Sequence, residues 1–398
     1  MRIVVPFGFY GCGNIGDEAT LQGFAALLAW MGQSARVWVA SRNPAHTARV
    51  EPAFGYFRTT GHDPRRWLAK LRADAHAMVG GTPIMDVLGD WPLCELTPLV
   101  QSVDRWKVPL GFIGIGTETL RSPQSVRIVR HEIVPRTRCW SVRSEHDRQR
   151  LIEYGAAPDS IEVAADLAWL IAPSAAHFGR RQLQEWGMDA VGLRPLIAVN
   201  LVNENHLFDQ QPQIAQQIAA ALDAIVEKYD ARVLFVANEI RDEQEFDLAA
   251  ARGVLCRMRR ADRATIAPAV YFSPGQMMSI IACCDLTISM RYHFCLFSAI
   301  QGVPFIAIKR SDKLADLCWD LGWPLSVLPA DLKADMLVEQ LSRILDRPDA
   351  NAELLSGLKA RVESMRRRAR QNQRAVRLLG AAGGLMAESG KPQVCVPD

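Results

Sequence analysis

The sequence predicts an α/β protein of two successive wound halves with a helical C-terminal tail. Three observations predict it: short apolar runs ending in glycine or polar residues, stretches of helical period alternating with them, and a mid-chain break in both patterns. Alternation of this kind is the sequence form of repeated βαβ units.

In the first half the expected strands are residues 3–5, 37–40, 77–79, 110–115, 139–142 and 161–164. Between the first two, Leu21, Phe24, Ala25 and Leu28 follow i, i+3, i+4, i+7 spacing, and Gly32 is placed to stop that helix. A second series begins at residues 196–201 and continues through 233–237, 286–289 and 305–308, with helices near 214–228, 274–283 and 294–301. Pro173, Gly179, Gly187, Gly192 and Pro195 interrupt any regular pattern between the series. The expected division is therefore a first domain of residues 1–185, a second of 186–332, and a tail of 333–398. In the tail, Leu337, Leu341, Ile344 and Leu345 form one apolar stripe, and Leu354, Leu355, Leu358, Val362 and Met365 another. Arg366, Arg367, Arg368 and Arg370 read as a solvated helix face.

Composition narrows the class. The 398 residues are 49% hydrophobic and 22% charged, an ordinary globular mixture large enough for two cores. Forty-six Lys and Arg against 43 Asp and Glu leave +3, too near balance for the broad basic surface of a nucleic-acid binder. Any anion site must be local. Nine irregularly spaced cysteines, with Cys283 and Cys284 adjacent, give neither a zinc pattern nor a disulfide framework. No HExxH or ordered Asp/Glu/His cluster suggests a metal. Met1 runs straight into Ile3-Val4-Val5 without a signal-peptide core, and no apolar stretch approaches the ~20 residues of a membrane helix. The expectation is a cytoplasmic protein whose membrane contact, if any, is peripheral at the inner face.

Gly11-Cys12-Gly13-Asn14-Ile15-Gly16 matches GxGxxG between a strand and a helix, the setting of a dinucleotide fingerprint. Asp17 and Glu18 follow at once, however, and carboxylates in the first helical turn repel the pyrophosphate that such a turn binds. The next strand ends in Ala40-Ser41-Arg42 rather than in an acid, which disfavours NAD further. Arg42 could still accept a 2′-phosphate, so three readings remain: a dinucleotide loop, a tight turn with Asp17 stabilising the helix start, or a polar loop opening on a substrate cleft.

Residues 273–308 are the most informative. Ser273, Pro274 and Gln276 suit Ncap, N1 and N3 of a helix with a capping box. Arg291 and His293 then fall between a strand's carboxyl end and a helix's amino end, with Gly302 as the helix stop. Cations are the wrong charge there, each unfavourable by about 0.3–1 kcal/mol, so a compensating anion is expected. It is either a bound phosphate or carboxylate, or an internal partner such as Asp285 or Asp312. Arg143 repeats the arrangement in the first half, before a helix at 145–154, and with Arg291 it would make a two-sided clamp on one polyanion.

The ordered set of these landmarks resembles one family. Residues 11–18 look like its GxxNxGDE signature, Gly80-Gly81 and Gly114-Ile115-Gly116 like its later glycine turns, and Ser141-Val142-Arg143-Ser144 like its SxR segment. Ala165-Asp166 resembles its A-D pair, and Ser289-Met290-Arg291-Tyr292-His293 with Gly302-Val303-Pro304 its GMRxH…GxP block. The family is the polysaccharide pyruvyl transferases, and the likeness spans roughly residues 1 to 310. The sequence departs from the pattern at Tyr292, Thr82-Pro83 and Ile115.

The resemblance implies two Rossmann-like domains facing a cleft, a GT-B-like arrangement with the first domain on the acceptor side and the second on the donor side, and transfer of pyruvate from phosphoenolpyruvate onto two sugar hydroxyls as a cyclic ketal. Phosphoenolpyruvate would be a co-substrate, with no cofactor. The acceptor would be a sugar, nucleotide sugar or lipid-linked glycan. Arg143, Arg291 and Tyr292 are expected to bind the donor. His293 is expected to protonate its C3, with Asp17 as the second catalytic residue. Gly13, Asn14, Gly16, Asn203 and His206 are the expected acceptor contacts, Glu204 beside them. Trp91, Trp106, Trp319 and Trp323 read as core or interface rather than sugar platforms. The competing classes are a GT-B glycosyltransferase using a nucleotide sugar and an inactive sugar-binding homologue.

Overall fold

The computed structural model describes residues 1–59, 63–188, 194–240, 246–346 and 348–382. Seven strands, β1 (Arg2–Val5), β2 (Arg36–Ser41), β3 (Gly55–Arg58), β4 (Ala75–Val79), β5 (Leu110–Ile115), β6 (Cys139–Val142) and β7 (Ile161–Val163), form one parallel sheet in the order β3-β2-β1-β4-β5-β6-β7. Six more, β8 (Leu196–Asn200), β9 (Arg232–Phe235), β10 (Ala264–Ile266), β11 (Leu286–Ser289), β12 (Phe305–Ile308) and β13 (Ser326–Val327), form a second parallel sheet ordered β10-β9-β8-β11-β12-β13. Both sheets reverse direction once, between β1 and β4 and between β8 and β11. Wound sheets bind ligands outside the carboxyl ends of their strands at such switch points.

The central strands read as apolar runs because both of their faces are covered: every residue of β4, β5, β8, β11 and β12 is buried. Sequence periodicity found ten strands and missed β3, β10 and β13. All three lie at sheet edges, span two to four residues, and are partly exposed, so they leave no apolar run to read. The helix Pro274–Ile281 begins as expected, Ser273 N donating to Gln276 Oε1 at 2.9 Å and Gln276 N to Ser273 Oγ at 3.3 Å.

Residues 189–193, inside the expected domain break, lie outside the described residues. The helix before them, His177–Glu185, packs on Pro274–Ile281 of the second sheet, Gly179 N donating to Ser279 Oγ at 2.9 Å. The C-terminal helices join both halves. Ala334–Leu345 packs on Pro212–Tyr229 through Leu337 and Leu341, whereas Gln373–Ala382 crosses back to β5 and β6. Its Val376 and Leu379 are fully buried with Ile3 and Ile113, worth about 1.5–3 kcal/mol each. At the crossing, Asn372 is buried. Its Nδ2 donates to Ala165 O at 2.9 Å and its Oδ1 accepts from Ser141 Oγ at 2.7 Å. Arg368 is likewise spent internally, donating to Asp320, Arg143 O and Ala164 O. No helix among the described residues is long and apolar enough to cross a membrane.

Candidate active site

The carboxyl ends of the two sheets enclose a cleft of about 780 Å³. Asn14, Asp17, Arg143, His206, Arg291, Tyr292 and His293 all line it, so the structure unites most residues singled out in the sequence.

The glycine loop is a junction between the halves. Ile240 N donates to Gly13 O at 2.9 Å, Ile15 N to Asn238 O at 3.2 Å, and Asn14 bridges to Glu239. Gly13 has φ +80°, and a Cβ there would stand 1.8 Å from Ile240 O. A Cβ on Gly16 would meet the ring of His293, 2.1 Å from Nδ1. Neither glycine lines the cleft. Both, expected as acceptor contacts, permit close approach of the second half. Asn14 Oδ1 accepts from Gly16 N at 3.0 Å as the cap of helix Ile15–Trp30. Of the two first-turn carboxylates only Asp17 faces the cleft. Glu18 is buried beneath the loop, accepting from Gly11 N at 2.7 Å, and burial pushes its pKa up to about 7.

Arg291 caps helix Tyr292–Gln301 without a side-chain cap bond. Its Nη2 donates to Glu239 Oε2 at 2.7 Å and to Asp247 Oδ1 at 2.5 Å, and its Nε to Asp247 Oδ1 at 3.2 Å. Burial opposes its charge, but Asp247 and Glu239 outweigh burial and raise its pKa. The expected compensating anion is therefore internal, and it is neither Asp285 nor Asp312. Asp285 accepts from Leu196 N at 2.7 Å, and Asp312 pairs with Arg150 at 2.9 Å. Two carboxylates face one guanidinium, so Arg291 brings no surplus positive charge to the cleft.

Arg143 differs. It follows β6, before helix Glu145–Glu153, which Ser144 and Asp147 close with a capping box. Its guanidinium is only 8% exposed; Nε donates to Gly114 O at 3.0 Å and lies 2.9 Å from Asp166 Oδ2. The guanidinium sits 5.7 Å from the centroid of the Tyr292 ring, and Nη2 is buried without a partner. Such an orphaned charged donor is costly unless an acceptor binds it. Asp166 is fully buried at the start of the helical turn Leu167–Leu170. Burial would raise its pKa, yet Arg143 first and then His293 override this and hold it at about 2. His293 Nε2 lies 3.5 Å from Asp166 Oδ2. Burial lowers the His293 pKa more than Asp166 raises it, and Arg143 and Lys313 lower it further. Without a ligand the imidazole is thus biased toward its neutral form.

Asn203 and His206 sit beyond β8, which stops at Asn200, not at its carboxyl end. Asn203, expected as an acceptor contact, has its Oδ1 accepting from Phe208 N at 2.7 Å and is not among the residues that line the cleft. His206 is at the rim, 82% exposed at its side chain, with Nδ1 2.9 Å from Asp209 Oδ2.

Sequence reasoning missed Glu239, Asp247, Arg310 and Lys313. Arg310 Nη2 donates to Glu204 Oε2 at 2.5 Å. Lys313 lies in the first turn of helix Asp312–Asp320, lines the cleft, and makes no hydrogen bond or ion pair among the described residues. Desolvation, then Arg310 and Arg143, push its pKa down against the pull of Glu118 and Glu204. The signal that exposed Arg291, a cation between a strand end and a helix start, recurs at Lys309, Arg310 and Lys313 after β12. Three donor side chains thus meet at the cleft: Arg143, Lys313, unpaired among the described residues, and His293. No cluster among the described residues suits a metal ion.

The family model for polysaccharide pyruvyl transferase matches residues 14–312 of the chain. No curated protein matches it in sequence. Among solved structures, the chain is similar to Staphylococcus aureus MnaA in complex with UDP, at 9% identity over 98% of both chains and a TM-score of 0.64. It is also similar to Anabaena Alr3699/HepE in complex with UDP, at 12% identity over 96% of this chain and 100% of that one, TM-score 0.61. A third likeness is to sucrose-phosphate synthase of Thermosynechococcus elongatus, at 15% identity, the same coverage and TM-score 0.61. At such identities the likeness is one of fold, and the fold is GT-B-like.

Proposed function

Because the chain belongs to the polysaccharide pyruvyl transferase family, we propose that it moves pyruvate from phosphoenolpyruvate onto two hydroxyls of a sugar, in a surface polysaccharide or its precursor, as a cyclic ketal. The observation that carries this reading is the meeting of three donor side chains at the cleft: Lys313, unpaired among the described residues, with Arg143 and His293, which share the single carboxylate of Asp166. Phosphoenolpyruvate brings a phosphate and a carboxylate, and both need such partners.

In this reading Arg143 and Lys313 hold the donor's anionic groups. A sugar oxygen adds to C2, its proton passing to Asp17, while His293 delivers a proton to C3 to make the methyl group. Phosphate then leaves C2 with the C–O electron pair, stabilised by Arg143 and Lys313, and the second hydroxyl takes its place. The proton of that hydroxyl goes to the departing phosphate. Asp17 returns its proton to His293, directly or through solvent, so atoms and charge balance. Asp166 holds no substrate; it keeps Arg143 charged and His293 oriented. A bound dianion beside His293 raises its pKa, so the donor itself loads the proton that it receives.

The second reading, a glycosyltransferase taking a nucleotide sugar, draws on the UDP complexes of the proteins with the same fold. A thermal-shift comparison separates the two: phosphoenolpyruvate should raise the melting temperature, and a shift with UDP-sugars but none with phosphoenolpyruvate favours glycosyl transfer.

A further inference from the structure

The cleft is chemically two-sided. Its second-domain wall carries charge, with Glu239, Arg291, His293 and Lys313, whereas the first-domain wall, besides Asp17, Arg42, Glu95 and Arg143, presents an apolar stretch: Phe7, Phe9, Met85, Leu88 and Trp91. Leu88 is 43% exposed, an apolar group left open inside a cleft.

This wall is built, not loose. Asp86 accepts from Arg121 N at 3.0 Å and Ser122 N at 2.8 Å, tying the segment after β4 to the start of helix Pro123–Ile128. Ile84 bridges to Thr117 and Leu88 to Trp91, so Trp91 stands on a closed turn. Phe9 follows β1 at the switch point. The rings of Phe9 and Trp91 meet edge to face with centroids 5.6 Å apart, and the Arg42 guanidinium lies 5.1 Å from the Phe9 centroid. Two aromatic rings are therefore fixed on the cleft wall by protein contacts alone, with the exposed pair Arg42 and Glu95 at their border.

We infer that Phe9 and Trp91 form an acceptor subsite that takes a pyranose ring by its C–H face. The inference rests on the pyruvyl-transfer reading, which makes a sugar the acceptor. A three-carbon donor fills only a small part of about 780 Å³, a volume that suits a much larger ligand. A pyranose turns one face of C–H groups outward and carries its hydroxyls on the rim. The electron-rich face of an aromatic ring attracts those C–H groups, while the hydroxyls keep polar partners. Asn14 and Asp17 line the same cleft and supply such partners. The polar pair Arg42 and Glu95 at the border suits a hydroxylated ring better than a hydrocarbon tail.

Saturation-transfer NMR on the full chain tests this with a panel of methyl pyranosides of gluco, galacto, manno and N-acetylglucosamine configuration. Transfer should concentrate on ring C–H protons, fall about fivefold in Trp91→Ala, and survive largely in Trp91→Phe. Phe9→Leu, a smaller perturbation of the fold, should lower it in the same direction. Transfer to none of the glycosides, or undiminished transfer in both Trp91→Ala and Phe9→Leu, overturns the subsite. The phosphoenolpyruvate melting shift, read in parallel, separates this from failure of the pyruvyl reading: a wild-type protein with no such shift but Trp91-dependent glycoside contact keeps the subsite and loses the donor.

Discussion

His293 and Gly16 touch across the two halves of the molecule, the glycine leaving room for the imidazole that a Cβ would fill to within 2.1 Å of Nδ1. Gly16 belongs to the first helix of the chain and His293 to the helix that follows β11. The placement of the proposed acid thus depends on how the halves meet. Gly16→Ala should displace the ring, lowering kcat on the order of 10²-fold while donor affinity changes little. Steady-state kinetics with binding calorimetry checks this; an unchanged kcat means that the contact does not position His293.

The cations of the cleft should divide by role. Lys313→Ala removes an unpaired charge, so it should weaken phosphoenolpyruvate binding by about 1.5–3 kcal/mol and leave the melting temperature nearly unchanged. Arg291→Ala strands Glu239 and Asp247 in the interior and should cost about 3–5 kcal/mol of stability by denaturant titration. If Arg291→Ala proves stable and loses only donor affinity, its carboxylate partners are not structural.

His293→Gln should keep much of the donor affinity and lower kcat by ~10²–10⁴-fold. The free-enzyme pKa of His293 is depressed, and a bound dianion raises it. Because the charged form donates, activity should fall as pH rises, with the kcat limb at higher pH than the kcat/KM limb. Coincident limbs, or limbs that persist in His293→Gln, would assign the proton to another group.

Glu18 gives a stability signature. Its folded pKa of about 7 lies above its ordinary value of 4.5, so the folded state binds the extra proton. Its contribution is fully present below pH 4.5 and lost as pH rises through about 7, by roughly 3 kcal/mol at most. Glu18→Gln should therefore raise the melting temperature at pH 8 more than at pH 5. Equal shifts at both values would show that Glu18 ionises normally.

Much of this was legible in the sequence because it is local. Buried strands announce themselves as apolar runs, and Ser273 with Gln276 marks a helix start through bonds three residues apart. Arg143, Arg291 and His293 stood out because cations are misplaced at helix starts. What sequence left dark is what the fold brings together. Gly13 and Gly16 read as a ligand loop, since the groups that require them, Ile240 and His293, are distant along the chain. The anion expected beside Arg291 proved to be Glu239 and Asp247, which no spacing connects to it. Trp91 read as core or interface, yet it lines the cleft, while Trp323 is buried and Trp319 is 85% exposed. Lys313 carries a related signal, but it stands inside the first turn of its helix rather than before it.

The central claim is that Arg143, Lys313 and His293 form a phosphoenolpyruvate site. Titration calorimetry of phosphoenolpyruvate into the wild-type protein and Lys313→Ala tests it most directly. Saturable one-site binding, weakened about tenfold or more in the variant, is the expected result. Absence of phosphoenolpyruvate binding in a folded wild-type protein that binds a UDP-sugar saturably would contradict it.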